Sequence, residues 1–194
     1  MKNSILAIAL LLVNFLFSQE ETSKLKVGDL APTFSFTDAN GESQSLSDAL
    51  TKGSLLLVFY RGEWCPYCTK YLLQLSESED QFSEKGILIM AVSAENGKSL
   101  ENMKSKSNSS FHFISDQGYE IITAFNVDYI VPSKMVEKLA SKGIDLAESH
   151  GADEPMLPVP ATFLIDQNGI IQYVHYDTNY KERPDVEDIL AAVK

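Results

Sequence analysis

The chain has 194 residues, with 16 lysines and arginines against 27 aspartates and glutamates, for a formal net charge of −11. An acidic surface repels phosphate backbones and anionic lipid headgroups, which argues against nucleic acid as a partner and against binding to an anionic membrane surface. Apolar residues make up 44%, ordinary for a globular fold, and there are only two cysteines.

The first segment, "MKNSILAIALLLVNFLFSQEE", carries one positive charge at Lys2, an apolar run from Ile5 to Phe17, and then small Ser18. It reads as a signal peptide over residues 1–18, with residues 19–194 as one domain exported to the periplasm or the outside of a Gram-negative-type bacterium. The alternative, an uncleaved anchor, meets a run short of the roughly 20 residues a spanning helix needs.

Residues 27–46 follow as an entry segment and a β-hairpin, from the alternation in "TFSFTD" and a turn at Asn40-Gly41. Ser47 is placed as the N-cap of a short helix. "SLLLVFY", residues 54–60, is a continuous apolar run of strand length, the pattern of a strand buried on both faces. A helix is expected over residues 65–78, a second buried strand over 86–93, a helix over 96–106, a strand at "FHFISD" and a helix over 118–125. Within 126–158, "PSKMVEKLASKGI" reads as helical and "DLAESHGADEPMLP" as a solvated acidic loop in which His150 is not a ligand. "ATFLIDQNGIIQYVHY" is a hairpin about Asp166-Gln167-Asn168-Gly169, and "RPDVEDILAAVK" is a closing amphipathic helix. Alternating strands and helices ending in a hairpin give an α/β fold, a mixed sheet flanked by helices.

The two cysteines lie together in "FYRGEWCPYCTKYL". A bridge between Cys65 and Cys68 closes almost no loop and therefore adds little stability, so chemistry explains the pair better than stapling. Both sit where a buried strand gives way to a helix. The unpaired N–H groups and positive end of that helix stabilise a thiolate. Pro66 suits the first turn, where its missing N–H is no loss. Side chains three apart on a helix lie about 5–6 Å apart, close enough for Cys65–Cys68 to cycle between dithiol and redox-active disulfide. Zinc would need two more ligands, and His112, His150 and His175 are not at ligand spacing, so no metal site and no cofactor are assigned. A copper(I) carrier using the two thiolates is the remaining metal alternative.

"EWCPYC" after a buried strand resembles the thioredoxin superfamily, and "LPVPATFLID" supports the likeness. By that resemblance Pro160 is the cis-proline facing the cysteines, and residues 126–158 are a helical insertion before its strand. The opening "VGDLAPTFSFTDANGESQSLSD" and the cysteine stretch resemble the peroxiredoxins of the alkyl hydroperoxide reductase/thiol-specific antioxidant (AhpC/TSA) group, over roughly residues 26–193. Against the peroxiredoxin pattern "FYPGAFTPVCTKEL", Cys68 falls on the peroxidatic cysteine, Cys65 on the threonine and Arg61 on the proline. The arginine usual before the "TFxID" strand is replaced by Pro160. Arg61 is the substitute guanidinium, with Arg183 a second that can approach; Trp64 packs beside the site, and Tyr60 and Tyr67 are its walls. The resemblance implies a thiol peroxidase in which Cys68 attacks the peroxide, Cys65 resolves and a thioredoxin-type donor reduces the pair, the enzyme being a monomer or homodimer. The alternative is an exported thiol-disulfide oxidoreductase acting on protein disulfides, with Cys65, nearer the solvent, attacking and Cys68 resolving.

Overall fold

The computed structural model describes residues 24–38 and 40–193; the segment read as a signal peptide, residues 1–18, lies outside them. The described chain opens with the hairpin β1 (Ser35–Thr37) and β2 (Ser43–Ser45), then helix α1 (Leu46–Leu50). The cap of α1 is Ser45, not Ser47: its hydroxyl accepts the Asp48 N–H while the Asp48 carboxylate accepts the Ser45 N–H, which satisfies two N–H groups reciprocally. There follow β3 (Ser54–Phe59), α2 (Pro66–Glu77), α3 (Glu79–Glu84), β4 (Ile87–Ser93), α4 (Gly97–Ser107), β5 (His112–Ser115) and α5 (Glu120–Ala124). The insert holds β6 (Asp128–Ile130), α6 (Ser133–Ala140), α7 (Leu146–His150) and β7 (Met156–Pro158). Strands β8 (Ala161–Ile165) and β9 (Ile171–Tyr176) and helix α8 (Val186–Ala191) complete it.

The central sheet runs β5-β4-β3-β8-β9, with β3, β4 and β5 parallel and β8 and β9 antiparallel to their neighbours. Strand side chains alternate between faces. Leu55, Leu57 and Phe59 therefore enter one core, with Phe34, Phe36 and Phe125 from the hairpin and the end of α5. Leu56, Val58 and Tyr60 enter the other, with Leu72 and Leu75 of α2, Met103 of α4 and Ile189 of α8. Helices thus cover both faces, and β3 has no polar side. The expected mixed sheet between helices is the observed architecture.

The acidic segment of the insert is not a loop. Asp145 caps α7 by accepting the Glu148 N–H at 3.0 Å, and Gly151 ends the helix at φ +69°, a conformation open to glycine. Met156–Pro158 then pair antiparallel with β6. His150 is fully buried, its Nδ1 3.4 Å from the Tyr119 hydroxyl. The insert has its own small core: Val131, Leu146 and Leu157, closed by Met135, Leu139 and Trp64. The expected cis bond at Val159–Pro160 is also absent, since no cis peptide occurs among the described residues. The Val159 N–H donates to the Val127 carbonyl at 2.7 Å, extending the β6–β7 ladder and carrying the chain straight into β8.

Candidate active site

The carboxyl end of β3 sits mid-sheet, with Phe59 opposite Val92 on one side and Ala161 on the other. From there the chain turns through residues 60–64 to Cys65, which is the N-cap of α2 with extended backbone, and Pro66 opens the helix. The Cys65 carbonyl accepts the Cys68 and Thr69 N–H groups at 3.0 and 3.1 Å. A sulfur stands at the N-cap position where a capping oxygen is usual, at the positive end of the helix, without making a capping hydrogen bond to the first turn. Both cysteines are free thiols and nearly inaccessible, at 1% and 0% exposure. Cys65 nevertheless lines an open cavity of about 290 Å³, a lining that does not include Cys68.

The two sulfurs ionise very differently. The Cys68 side chain donates a hydrogen bond to Cys65 and is the first cause of a Cys65 pKa lowered to about 6. Burial opposes this, while the Cys68 backbone N–H, Arg61 and Arg183 reinforce it. Cys68 moves the other way, well above the ordinary thiol value, because burial disfavours its charge and its proton is held by Cys65. At neutral pH the pair is one thiolate, Cys65, solvated by one thiol, Cys68.

Arg61 is not a surface salt-bridge residue. It is 9% exposed and lies between two aromatic rings, its Cζ 4.9 Å from the Trp64 centroid and 4.5 Å from that of Tyr180. That arrangement holds a cation without neutralising it. Arg183 is closer to the sulfurs than its distant sequence position suggests: Nη2 donates to Cys68 Sγ at 3.4 Å, and Nη1 donates to the Tyr180 and Glu182 carbonyls at 2.8 and 2.6 Å. Tyr67 is a rim residue at 39% exposure, in an edge-to-face pair with Tyr180 at 5.8 Å, whereas Tyr60 is a core residue rather than a wall.

Glu95, just after β4, is a group that sequence reasoning missed. It is 1% exposed; Oε2 accepts the Glu63 N–H at 2.8 Å and Oε1 has no partner. Burial raises its pKa to about 7. Trp64 Nε1 is likewise buried without a partner. A side chain at position 62 would run into both groups, meeting Glu95 Oε1 at 2.7 Å, so Gly62 permits this close approach. The signal for Glu95 was a carboxylate immediately following the buried run "GILIMAVSA".

Pro160 lies in a second cavity, of about 310 Å³, formed with Arg61, Met135, Tyr180 and residues 157–159. Arg61, Met135 and Tyr180 also line the Cys65 cavity, so the two join into one groove with Cys65 towards one end and Pro160 towards the other. Trp64 forms part of its wall and packs against the core of the insert. The structure thus gathers Cys65, Cys68, Arg61, Trp64 and Pro160 together with Arg183, the second guanidinium of the sequence reading, and with Glu95. Among the described residues, no cluster of three His, Cys, Asp or Glu side chains forms.

Residues 27–174 match the model of the family described as AhpC/TSA. A thiol-disulfide oxidoreductase, ResA, of Geobacillus kaustophilus is 28% identical over 199 residues, covering 100% of this chain and 95% of that protein. The chloroplastic peroxiredoxin Q of Oryza sativa subsp. japonica is 27% identical over 153 residues, 78% of this chain and 59% of that one. The crystal structure of peroxidoxin BcpB from Mycobacterium tuberculosis superposes with a TM-score of 0.67 at 18% identity, over 87% of this chain and 96% of that one.

Proposed function

The chain belongs to the AhpC/TSA family and is an oxidoreductase, and from that premise we propose that it is an exported dithiol enzyme whose Cys65 thiolate attacks protein disulfides. The observation that carries the reading is the division of labour between the sulfurs: the ionised one lines the open groove, and the protonated one is buried behind it. Cys65 attacks one sulfur of the target disulfide and the other leaves as a thiolate. In the resulting mixed disulfide Cys65 is neutral. The charge and the hydrogen bond that kept the proton on Cys68 are then gone, and the Arg183 guanidinium beside Cys68 stabilises its thiolate. Cys68 loses its proton and attacks Cys65 Sγ, and the target's second sulfur leaves and takes up a proton. The target has gained two electrons and the enzyme holds the Cys65–Cys68 disulfide. A thioredoxin-type dithiol returns the two electrons.

A second reading is favoured by one contact. The guanidinium at Cys68 Sγ and the likeness to peroxiredoxin Q suit a peroxidase in which Cys68 takes one peroxide oxygen as the O–O bond breaks, the other leaving as water or an alcohol, and the resulting sulfenic acid condenses with the Cys65 thiol to the disulfide, releasing a further water. The order of preference is the reverse of the one the sequence suggests, because ionisation favours Cys65. Single-cysteine variants separate the readings. Cys68→Ser is expected to accumulate a mixed disulfide on Cys65 with a peptide disulfide, detectable by mass, while Cys65→Ser is inert to it. A Cys65→Ser protein that consumes one equivalent of hydrogen peroxide at the wild-type rate, alongside a Cys68→Ser protein that traps nothing, overturns the proposal.

A further inference from the structure

The insert does more than enclose the groove; it gives it a sign. The whole chain has 27 acidic residues against 16 basic ones, yet neither cavity of the groove is lined by an aspartate or a glutamate. The charged side chains that line it are all basic: Arg61, Lys138 and Lys142. Lys138 lies on α6 and Lys142 in the turn just beyond its end, and both line the cavity that holds Cys65. Met135 and Leu139, on the same helix, supply apolar wall. Among the described residues none of the three cations makes an ion pair, the one ion pair being Lys106–Glu63 at 2.8 Å. A cationic, partly apolar groove is complementary to an anionic, partly apolar ligand.

The rim says what kind of ligand. Tyr67, Tyr129 and Tyr180 border the groove at 39%, 41% and 39% exposure. Exposed tyrosines around a cleft suit a partner that covers the rim as well as the floor, as a polypeptide does and a fatty-acid anion held inside the cleft does not. Resting on the disulfide-exchange reading above, we propose that Lys138 and Lys142 make this groove selective for acidic polypeptide segments, so that the preferred target carries its disulfide beside glutamate or aspartate and apolar residues.

Trp64 is the single tryptophan of the chain and lines the groove, so its fluorescence reports occupancy without turnover. The probes are two peptides of equal length with leucine beside a central serine, one flanked by glutamates and one by lysines, plus the same pair with that serine replaced by a disulfide-capped cysteine. At low salt, the glutamate peptide is expected to titrate Trp64 at about a tenfold lower concentration than the lysine peptide, with the preference shrinking at about 0.5 M salt. Lys138→Glu/Lys142→Glu is expected to reverse the preference, and Lys134→Glu, the same charge change at an exposed position outside the groove lining, to keep it. Equal titration by both peptides, a preference that survives the double variant, or titration by laurate with neither peptide binding overturns the inference. The two proposals fail separately. Reduction of both capped peptides without charge preference leaves the exchange reading standing and removes this one. Charge-selective binding without reduction of either capped peptide does the opposite.

Discussion

Replacing Cys68 with alanine tests the origin of the reactive thiolate. The Cys65 pKa is lowered from 9.0 to about 6, and three units correspond to about 4 kcal/mol of preference for the charged form. The largest favourable cause is the hydrogen bond from Cys68, and a hydrogen bond to a charged acceptor contributes about 1.5–3 kcal/mol. Cys68→Ala is therefore expected to raise the Cys65 midpoint by about one to two units, to about 7–8. At pH 7 the thiolate fraction falls from about nine-tenths to between about half and one-tenth. The assay is absorbance at 240 nm against pH on the reduced variant, whose only thiol is Cys65. Alkylation rate is a poorer readout, since a more basic thiolate is also a better nucleophile and the two changes partly cancel. A midpoint still near 6 in Cys68→Ala refutes the reasoning and leaves the helix start and the arginines as sufficient. A midpoint near 6 in Cys65→Ala refutes it differently, by assigning the acidic thiol to Cys68.

Arg183→Gln removes the cation beside Cys68, so the mixed disulfide on Cys65 is expected to persist about tenfold longer, roughly the effect of losing one charged hydrogen bond; an unchanged lifetime in quenched-flow mass analysis excludes a role for Arg183 in resolution. Glu95 is raised from 4.5 to about 7 in the fold, so its contribution to stability is complete below about pH 4.5 and lost as pH rises through about 7. Urea unfolding of Glu95→Gln should remove that decline, worth about 3 kcal/mol at most, and an unchanged slope between pH 4.5 and 7 contradicts the burial argument. His150 runs the other way: burial lowers it from 6.5 to about 4, so stability is present above about 6.5 and lost as pH falls through about 4. His150→Gln should therefore be destabilised near neutrality yet lose less on acidification, by up to about 3 kcal/mol, than the wild type, again read by urea midpoints. Because the two groups oppose each other over much of the same pH range, the wild-type profile is expected to be flatter there than that of either variant.

Elements whose signal is local were legible in the chain itself. The apolar run of β3, buried on both faces, and Pro66 opening α2 fixed the strand-to-helix junction and with it the cysteine pair. Arg61 was visible as a position, but its burial between Trp64 and Tyr180 depends on a residue 119 positions away. Arg183, 115 residues from Cys68, could be named only as a second guanidinium able to approach, since nothing around it in sequence marks a thiol ligand. The acidic segment misled for a different reason. A five-residue helix and a three-residue strand are too short to show a period, and their charges read as loop. Asp145 followed three residues later by Glu148 was an N-terminal signature, outweighed there by the glycine and prolines that follow. Pro160 was read as a cis-proline facing the cysteines; it lines the groove through a trans bond, with the Val159 N–H held in the ladder by the Val127 carbonyl.

The sulfur-bearing turn and the proline-bearing segment hang from β3 and β8, adjacent strands whose facing residues at this end are Phe59 and Ala161. The segment between the end of α5 and Pro160 leaves and re-enters the body at one point, where the Val159 N–H donates to the Val127 carbonyl, and it is docked on the body by Trp64, His150 and the Asn96–Ser149 bond. Met135, Lys138, Leu139 and Lys142 reach the groove from this one segment, so exchanging it alone is expected to alter what the groove accepts while β3 and α2 hold the sulfurs in place.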